Sequence, residues 1–413
     1  NDNVEVTGSL DINGTLTVTD GELKLDTYDP AVNIAGNVSI ASAGSWTKQG
    51  NGSATVTFDG GSQTFTDSSL GGPYDIGLVI IGPSTATTLA TDSNMKATKV
   101  TVSDSNDTLN ITGDILTLTG TGTGASRPLV IGSSATFTTG SSTVVHTGSG
   151  SNTDVETTAY NNLTFTPSSA TTYYLKGDLI SGSAMAGSLT INADATLDND
   201  SSNKYSITLG GSWSNSGTFT HNSGGTVTFN SGDTGETINS GGTSAGKTFY
   251  NIVFNNSAGG WTIQTNNLTA DNNFTITDTN NSAGALTVNS VIVEVKGTYS
   301  IENAETSNTT WTSATLYLNS GTAYTIGTIS QNTESYSTLH VGGTTDIRMW
   351  KSSASAYTID SGGSLYSMKH AAAAGDAYVW GDFHTASHEY WDYNYDFDST
   401  DISGAPRDAS VKL

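Results

Sequence analysis

Cysteine is absent from all 413 residues, which excludes disulfide staples, thiolate metal sites and cysteine nucleophiles. Proline is scarce, at 6 residues, and no proline-rich linker breaks the chain, so no firm domain boundary is marked. Basic residues are few: 14 Lys and Arg stand against 38 Asp and Glu, for a formal charge of −24. A field of that sign repels phosphate backbones and anionic headgroups, so nucleic acid is excluded as a partner. No run of about 18 apolar residues is present to insert in a membrane as a spanning helix. The chain begins at Asn1 without a Met or an apolar leader, which leads us to expect a processed product or a fragment.

In place of these, the sequence holds 47 glycines and abundant Ser, Thr and Asn, with 13% charged residues. Val, Ile, Leu, Phe and Tyr recur in steady alternation with Thr, a pattern that disordered tracts do not keep. Runs such as Thr15-Leu-Thr-Val18, Thr117-Leu-Thr119 and Phe274-Thr-Ile-Thr277 put apolar side chains on one face and hydroxyls on the other. No stretch keeps a helical period. The tetrad Ala371 to Ala374 is cut short by Gly375. The composition, by analogy with secreted microbial surface proteins, sets the expectation of an extracellular or cell-surface location.

The chain also repeats. Tyr74-Asp-Ile-Gly-Leu-Val79, Tyr160-Asn-Asn-Leu-Thr-Phe165, Tyr250-Asn-Ile-Val-Phe254 and Tyr336-Ser-Thr-Leu-His-Val341 place their tyrosines 86, 90 and 86 positions apart. Each is preceded by a second marker: Thr55-Val-Thr-Phe58, Thr143-Val-Val-His146, Thr226-Val-Thr-Phe229 and Thr315-Leu-Tyr-Leu318. A third is Gly44-Ser-Trp46, Gly211-Ser-Trp213 and Gly297-Thr-Tyr299; a fourth is Leu10-Asp-Ile-Asn13, Leu109-Asn-Ile-Thr112, Leu189-Thr-Ile-Asn192 and Leu286-Thr-Val-Asn289. The expected organisation is an array over residues 1–350, in approximate repeats 1–45 (partial), 46–136, 137–212, 213–298 and 299–350. An aromatic and acidic segment, 351–413, follows it.

An all-β fold follows, and two architectures suit its short strands. A β-solenoid of the parallel β-helix kind stacks coils of roughly 20 residues about 4.8 Å apart around one apolar column. Tandem immunoglobulin-like β-sandwiches are the alternative, each about 100 residues. Four-residue strands between Gly and Asn turns favour the solenoid, with about 20 coils over a length on the order of 95 Å. Its uncapped ends would template further strands, which leads to end-to-end assembly with copies of itself or with neighbouring repeats of a longer chain.

Gly211-Ser-Trp-Ser-Asn-Ser-Gly-Thr-Phe-Thr220, Gly225-Thr-Val-Thr-Phe-Asn230 and Phe249-Tyr-Asn-Ile-Val-Phe-Asn-Asn256 resemble repeats of very large bacterial and archaeal surface proteins, the adhesin-like β-helix repeat family. The likeness covers most of positions 40 to 345 and fades after Ser352. It implies an extracellular role in adhesion or envelope structure and carries no catalytic signature.

Candidate sites gather in the last sixty residues. Trp380, Tyr390, Trp391, Tyr393, Tyr395 and Phe397, set among carboxylates, are candidates for stacking on a glycan or anchoring a partner. Asp392, Asn394, Asp396 and Asp398 alternate like the early ligands of a calcium loop. Phe397 at the sixth position and Ser403 at the twelfth reject an EF-hand, so only a looser Ca²⁺ site remains as a cofactor expectation. His370, His384 and His388 lack the order of a zinc helix. Asn-x-Ser/Thr acceptors occur at Asn13, Asn37, Asn51, Asn106, Asn110, Asn162, Asn199, Asn255, Asn267, Asn273, Asn280 and Asn308.

With no nucleophile elbow, P-loop or dinucleotide fingerprint, the expected function is non-enzymatic: a subunit or segment of a surface filament or layer. An adhesin or phage-type fibre binding a glycan through the aromatic tail is the alternative. A polysaccharide lyase or hydrolase stands further back, for want of a convincing carboxylate pair.

Overall fold

The computed structural model describes residues 3–50, 53–82, 86–103, 106–180, 182, 184–278, 285–301, 309–321, 323–326, 335–342, 345–350, 353–360, 364–370, 377–385, 388–391 and 395–397. It is all-β, and its parallel sheets form a β-solenoid of about 13 turns. The one helical element among the described residues is the three-residue 3₁₀ turn Gly124–Ser126. Strand pairs are parallel through Ser364–His370, which removes the tandem β-sandwich, an architecture built from antiparallel pairs.

The chain divides into two compact units, Asn1–Ile207 with Ser216–Asn222, and Thr208–Asn215 with Ser223–Leu413. In the first, one parallel ladder climbs from Leu10–Ile12 through Val32–Ile34, Thr55–Phe58, Leu78–Ile81 and Lys99–Val102 to Leu129–Ile131. A second runs from Met95–Ala97 through Ile115–Leu118, Thr143–His146 and Asn162–Phe165 to Leu189–Ile191. In the second unit, Thr226–Phe229, Asn251–Asn255, Phe274–Asp278 and Tyr299–Ile301 form one ladder. Leu268–Ala270, Ile292–Val295, Thr315–Leu318, Ser335–Val341 and Ser353–Ile359 form another.

Alternation decides what is buried. In Leu78–Ile81, Thr143–His146, Asn162–Phe165, Thr226–Phe229 and Thr315–Leu318 the second and fourth side chains are buried and the others are half-exposed. The inward residues stack in register from coil to coil. Phe229 lies on its register partner Phe254 at a ring separation of 5.2 Å and Phe274 on its partner Tyr299 at 5.7 Å, while Phe254, whose register partner is Ile276, meets Phe274 diagonally at 5.4 Å. These spacings suit offset and tilted aromatic contact and make a continuous dry column.

Register also explains the sequence markers. Thr55–Phe58 pairs with Leu78–Ile81, Thr143–His146 with Asn162–Phe165, Thr226–Phe229 with Asn251–Asn255, and Thr315–Leu318 with Ser335–Val341. The first two markers are therefore stacked neighbours, one coil apart. The asparagine after the tyrosine stitches the corner: Asn251 Nδ2 donates to Gly225 O at 3.1 Å, and its Oδ1 accepts from Asn272 Nδ2 at 2.9 Å. Asn162 repeats the device, with its Oδ1 accepting from Ser188 N at 2.8 Å. Corners are tight, and a Cβ added at Gly60 would stand 2.0 Å from Ala35 O.

The expected 20 coils are too many, since the solenoid has about 13 turns. Successive parallel strands lie 18 residues apart at the shortest (Ser335 to Ser353) and 29 at the longest (Val100 to Leu129), because corners take up more chain than four-residue strands suggest. The repeat of 86 to 90 residues is not a whole number of coils either. From Thr55–Phe58 the ladder climbs three turns to Leu129–Ile131, and the next marker, Thr143–His146, falls two strands further on, in another sheet. From Thr226–Phe229 it climbs three turns to Tyr299–Ile301, and Thr315–Leu318 again falls two strands on, in another sheet.

The parallel pattern gives way after Ser364–His370. That strand pairs antiparallel with Ala377–Thr385, which in turn pairs antiparallel with His388–Trp391 and Tyr395–Phe397. The expectation of uncapped parallel ends is therefore corrected on this sheet. The neighbouring parallel sheet ends, among the described residues, in Ser353–Ile359.

Candidate functional site

Most outward positions carry Thr, Ser, Val or Asn, and one face in each unit gathers tyrosine, carboxylate and lysine side chains. In the second unit, Val293, Val295, Leu316, Leu318, Leu339 and Val341 point inward, so Glu294, Tyr317 and His340 project outward from three consecutive strands. Parallel pairing places Tyr317 beside both Glu294 and His340. The Tyr317 and His340 rings stack at 3.9 Å with planes 10° apart.

Asp360, following Ser353–Ile359, closes over that stack. Its Oδ1 lies 3.0 Å from His340 Nε2, and its Oδ2 accepts from the Tyr317 hydroxyl at 3.4 Å. Glu294 is held by Asn319 Nδ2 at 3.0 Å and Thr269 Oγ1 at 3.4 Å. Alongside, Lys296 Nζ lies 2.8 Å from Asp271 Oδ1, whose other oxygen accepts from Thr248 Oγ1 at 2.7 Å. Partial burial, then the Asp360 and Glu294 carboxylates, push the Tyr317 hydroxyl above its ordinary range, so it remains a neutral donor. The Asp271 hydrogen bond raises Lys296 and holds it charged.

The first unit carries a related face. Tyr174 lies between Asp154 and Asp198 in register, while its neighbours Tyr173 and Leu175 turn into the core. Asp154 Oδ2 accepts from Gly124 N at 2.7 Å, and Lys176 Nζ sits 4.0 Å from Asp154 Oδ1 and 3.7 Å from Asp200 Oδ2. Asn222 Nδ2 donates to Asp198 Oδ1 at 2.7 Å, and Arg127 pairs with Glu156. Both faces offer an outward phenol flanked by carboxylates, with one lysine nearby: Lys176 two residues after Tyr174 on the same segment, and Lys296 two residues after Glu294 on the flanking strand. That is the equipment for hydrogen bonding a polyhydroxylated or amide-rich ligand. Among the described residues, no group of three or more His, Asp or Glu is placed to hold a metal ion.

Of the residues singled out from the sequence, Asp392, Tyr393, Asn394 and Asp398 lie outside the described residues. Trp380, Tyr390, Trp391, Tyr395, Asp396 and Phe397 occupy the antiparallel strands. Their backbone partners are Lys369, Phe383, Asp382, Val379, Tyr378 and Ala377, respectively. His384 stands opposite Leu365 and Glu389, His370 opposite Val379, and His388 opposite Thr385, so the three histidines are not cross-strand partners.

The glycosylation acceptors differ in access. Asn13, Asn37, Asn106, Asn255 and Asn267 are exposed, while Asn110, Asn162 and Asn273 are half-buried. Asn199 is 1% exposed, donates to Tyr205 O at 3.2 Å and accepts from Asn222 Nδ2 at 3.1 Å. Asn51, Asn280 and Asn308 lie outside the described residues.

Glu294, Tyr317, His340 and Asp360 were not legible as a set, because they come from four separate strand segments. A signal existed: aligning Thr315-Leu-Tyr-Leu318 with Thr338-Leu-His-Val341 sets Tyr317 beside His340. No protein-family model, no curated protein and no solved structure matches the chain.

Proposed function

We propose that this chain is a non-enzymatic structural protein of the cell exterior, a subunit or segment of a surface filament or layer. The observation that carries the reading is the stacked inward column over successive coils, in which Phe229 on Phe254 and Phe274 on Tyr299 are register partners and Phe254 meets Phe274 diagonally. Such a column adds stiffness with each coil and asks nothing of the outer faces beyond hydroxyls and amides. The resemblance to surface-protein repeats and the acidic, cysteine-free composition support the location. The strand edge at Ser353–Ile359 supports self-contact through parallel pairing. With a charge of −24, copies repel one another at low salt, so assembly should strengthen as ionic strength or divalent cation rises. Electron microscopy of the purified full chain across a salt series tests this. End-to-end stacks are the expected result, and monodisperse monomers at high concentration in high salt would overturn it.

A second reading is favoured by the outward tyrosines: a binding module for glycans. Glycan-array signal abolished by Tyr317→Ala or Tyr174→Ala would select it, and signal abolished by Trp391→Ala would place binding on the terminal strands instead.

A further inference from the structure

The second marker of the repeat ends in Phe58, Phe229 and Leu318 in three of its copies and in His146 in the fourth. All four side chains are fully buried. The imidazole packs as a phenyl ring would: it stacks on Phe165 at 5.4 Å with planes 23° apart and meets the edge of Tyr173 at 5.7 Å. On its other side it is paired in register with Leu118. Neither ring nitrogen has a hydrogen-bond partner within reach in the protein. Phenylalanine would fill this space without leaving two polar atoms unsatisfied, so packing gives no reason for histidine here.

We propose that His146 is an acid-operated release built into the first unit: neutral, it plugs the column as an aromatic ring, and protonated, it forces the coils around it to open. The inward groups of the surrounding strands supply no counter-charge. Ile115–Leu118 presents Leu116 and Leu118, and Asn162–Phe165 presents Leu163 and Phe165. Thr171–Leu175 presents Thr171, Leu175 and Tyr173, whose hydroxyl donates to Gly148 O at 2.7 Å and is kept protonated by burial. On Thr153–Val155, the carboxylate of Asp154 is held by Gly124 N and Lys176. Burial alone pushes the imidazole from its usual 6.5 down to about 4.

The sign follows from linkage. An open coil binds the proton near pH 6.5 and the closed coil only near 4, so closure is at full strength above 6.5 and weakens as pH falls between the two values. Opening should grow close to tenfold per pH unit and level off near pH 4, about 300-fold in all.

Hydrogen exchange of the full chain from pH 7 to pH 4, corrected for intrinsic rates, tests this at Ile115–Leu118, Thr143–His146, Asn162–Phe165 and Thr171–Leu175. The wild type should show the rise, and His146→Phe should abolish it. An equal rise in His146→Phe, or no rise in the wild type, would overturn the proposal. Should His146→Phe fail to fold, His146→Leu supplies the same comparison, since Leu318 holds the matching position. A proton-NMR titration of wild-type His146 adds a reading that needs no variant: a midpoint near 6.5 in the folded chain would equally refute it.

Discussion

Replacing Phe254 by alanine is the sharpest probe of how the column holds together. The ring is fully buried and touches three others, Phe229 at 5.2 Å, Trp261 at 5.3 Å and Phe274 at 5.4 Å. Core Phe→Ala substitutions cost about 3 to 5 kcal/mol through lost transfer energy and the cavity left behind. Aromatic pairs contribute about 0.5 to 1.5 kcal/mol each beyond area burial, so three of them place Phe254→Ala near the top of that range. A loss of about 5 kcal/mol corresponds to roughly a four-thousandfold increase in local opening. Because coils contact mainly their nearest neighbours, the effect should concentrate in Thr226–Phe229, Asn251–Asn255 and Phe274–Asp278. Exchange in Val32–Ile34 and Thr55–Phe58 should stay near wild type. Hydrogen exchange with mass spectrometry at neutral pH reads both. A uniform loss of protection over the chain, or a local loss under about 1 kcal/mol, would refute the nearest-neighbour column.

Three further outcomes are expected. Gly60→Ala, whose added methyl meets Ala35 O, should cost about 3 kcal/mol in urea denaturation, whereas Gly61→Ala, with open space around it, should be near neutral. Partial burial of Asp75 raises its pKa, but hydrogen bonds from Lys48, Thr119 and Gly77 outweigh it and hold the carboxyl below its ordinary value. Its stabilisation is thus present above the ordinary carboxylate range and is lost only as pH falls through the lowered value; Asp75→Asn should cost about 1 to 3 kcal/mol at pH 7 and less in strong acid, by thermal melts. Expressed in a glycosylating host, the chain should carry glycan at exposed acceptors such as Asn13 and Asn106 and none at buried Asn199, by peptide mass spectrometry.

The strands were legible because period-two alternation survives in single segments, and each of Val227, Phe229, Ile252 and Phe254 points inward as the alternation requires. The coil was harder to read. Its length varies from Ser335 to Ser353 and from Val100 to Leu129, and the conspicuous repeat spans three turns and two further strands, so no simple spacing announces it. The outward set of Glu294, Tyr317, His340 and Asp360 was missed for the same reason. Residues 20 to 43 positions apart meet only once the register is known, and the dense aromatic run after Tyr378 is the stronger local signal in the sequence.

That mismatch between repeat and coil bears on how such a chain diversifies. Were one unit of the repeat copied, the new stretch would enter with its motifs turned onto a different side, as a thread advances around a screw. A decoration written once per repeat would wind about the body instead of lining up in a stripe. Neighbouring copies would then be free to present different chemistry to different directions while sharing one recipe for the interior.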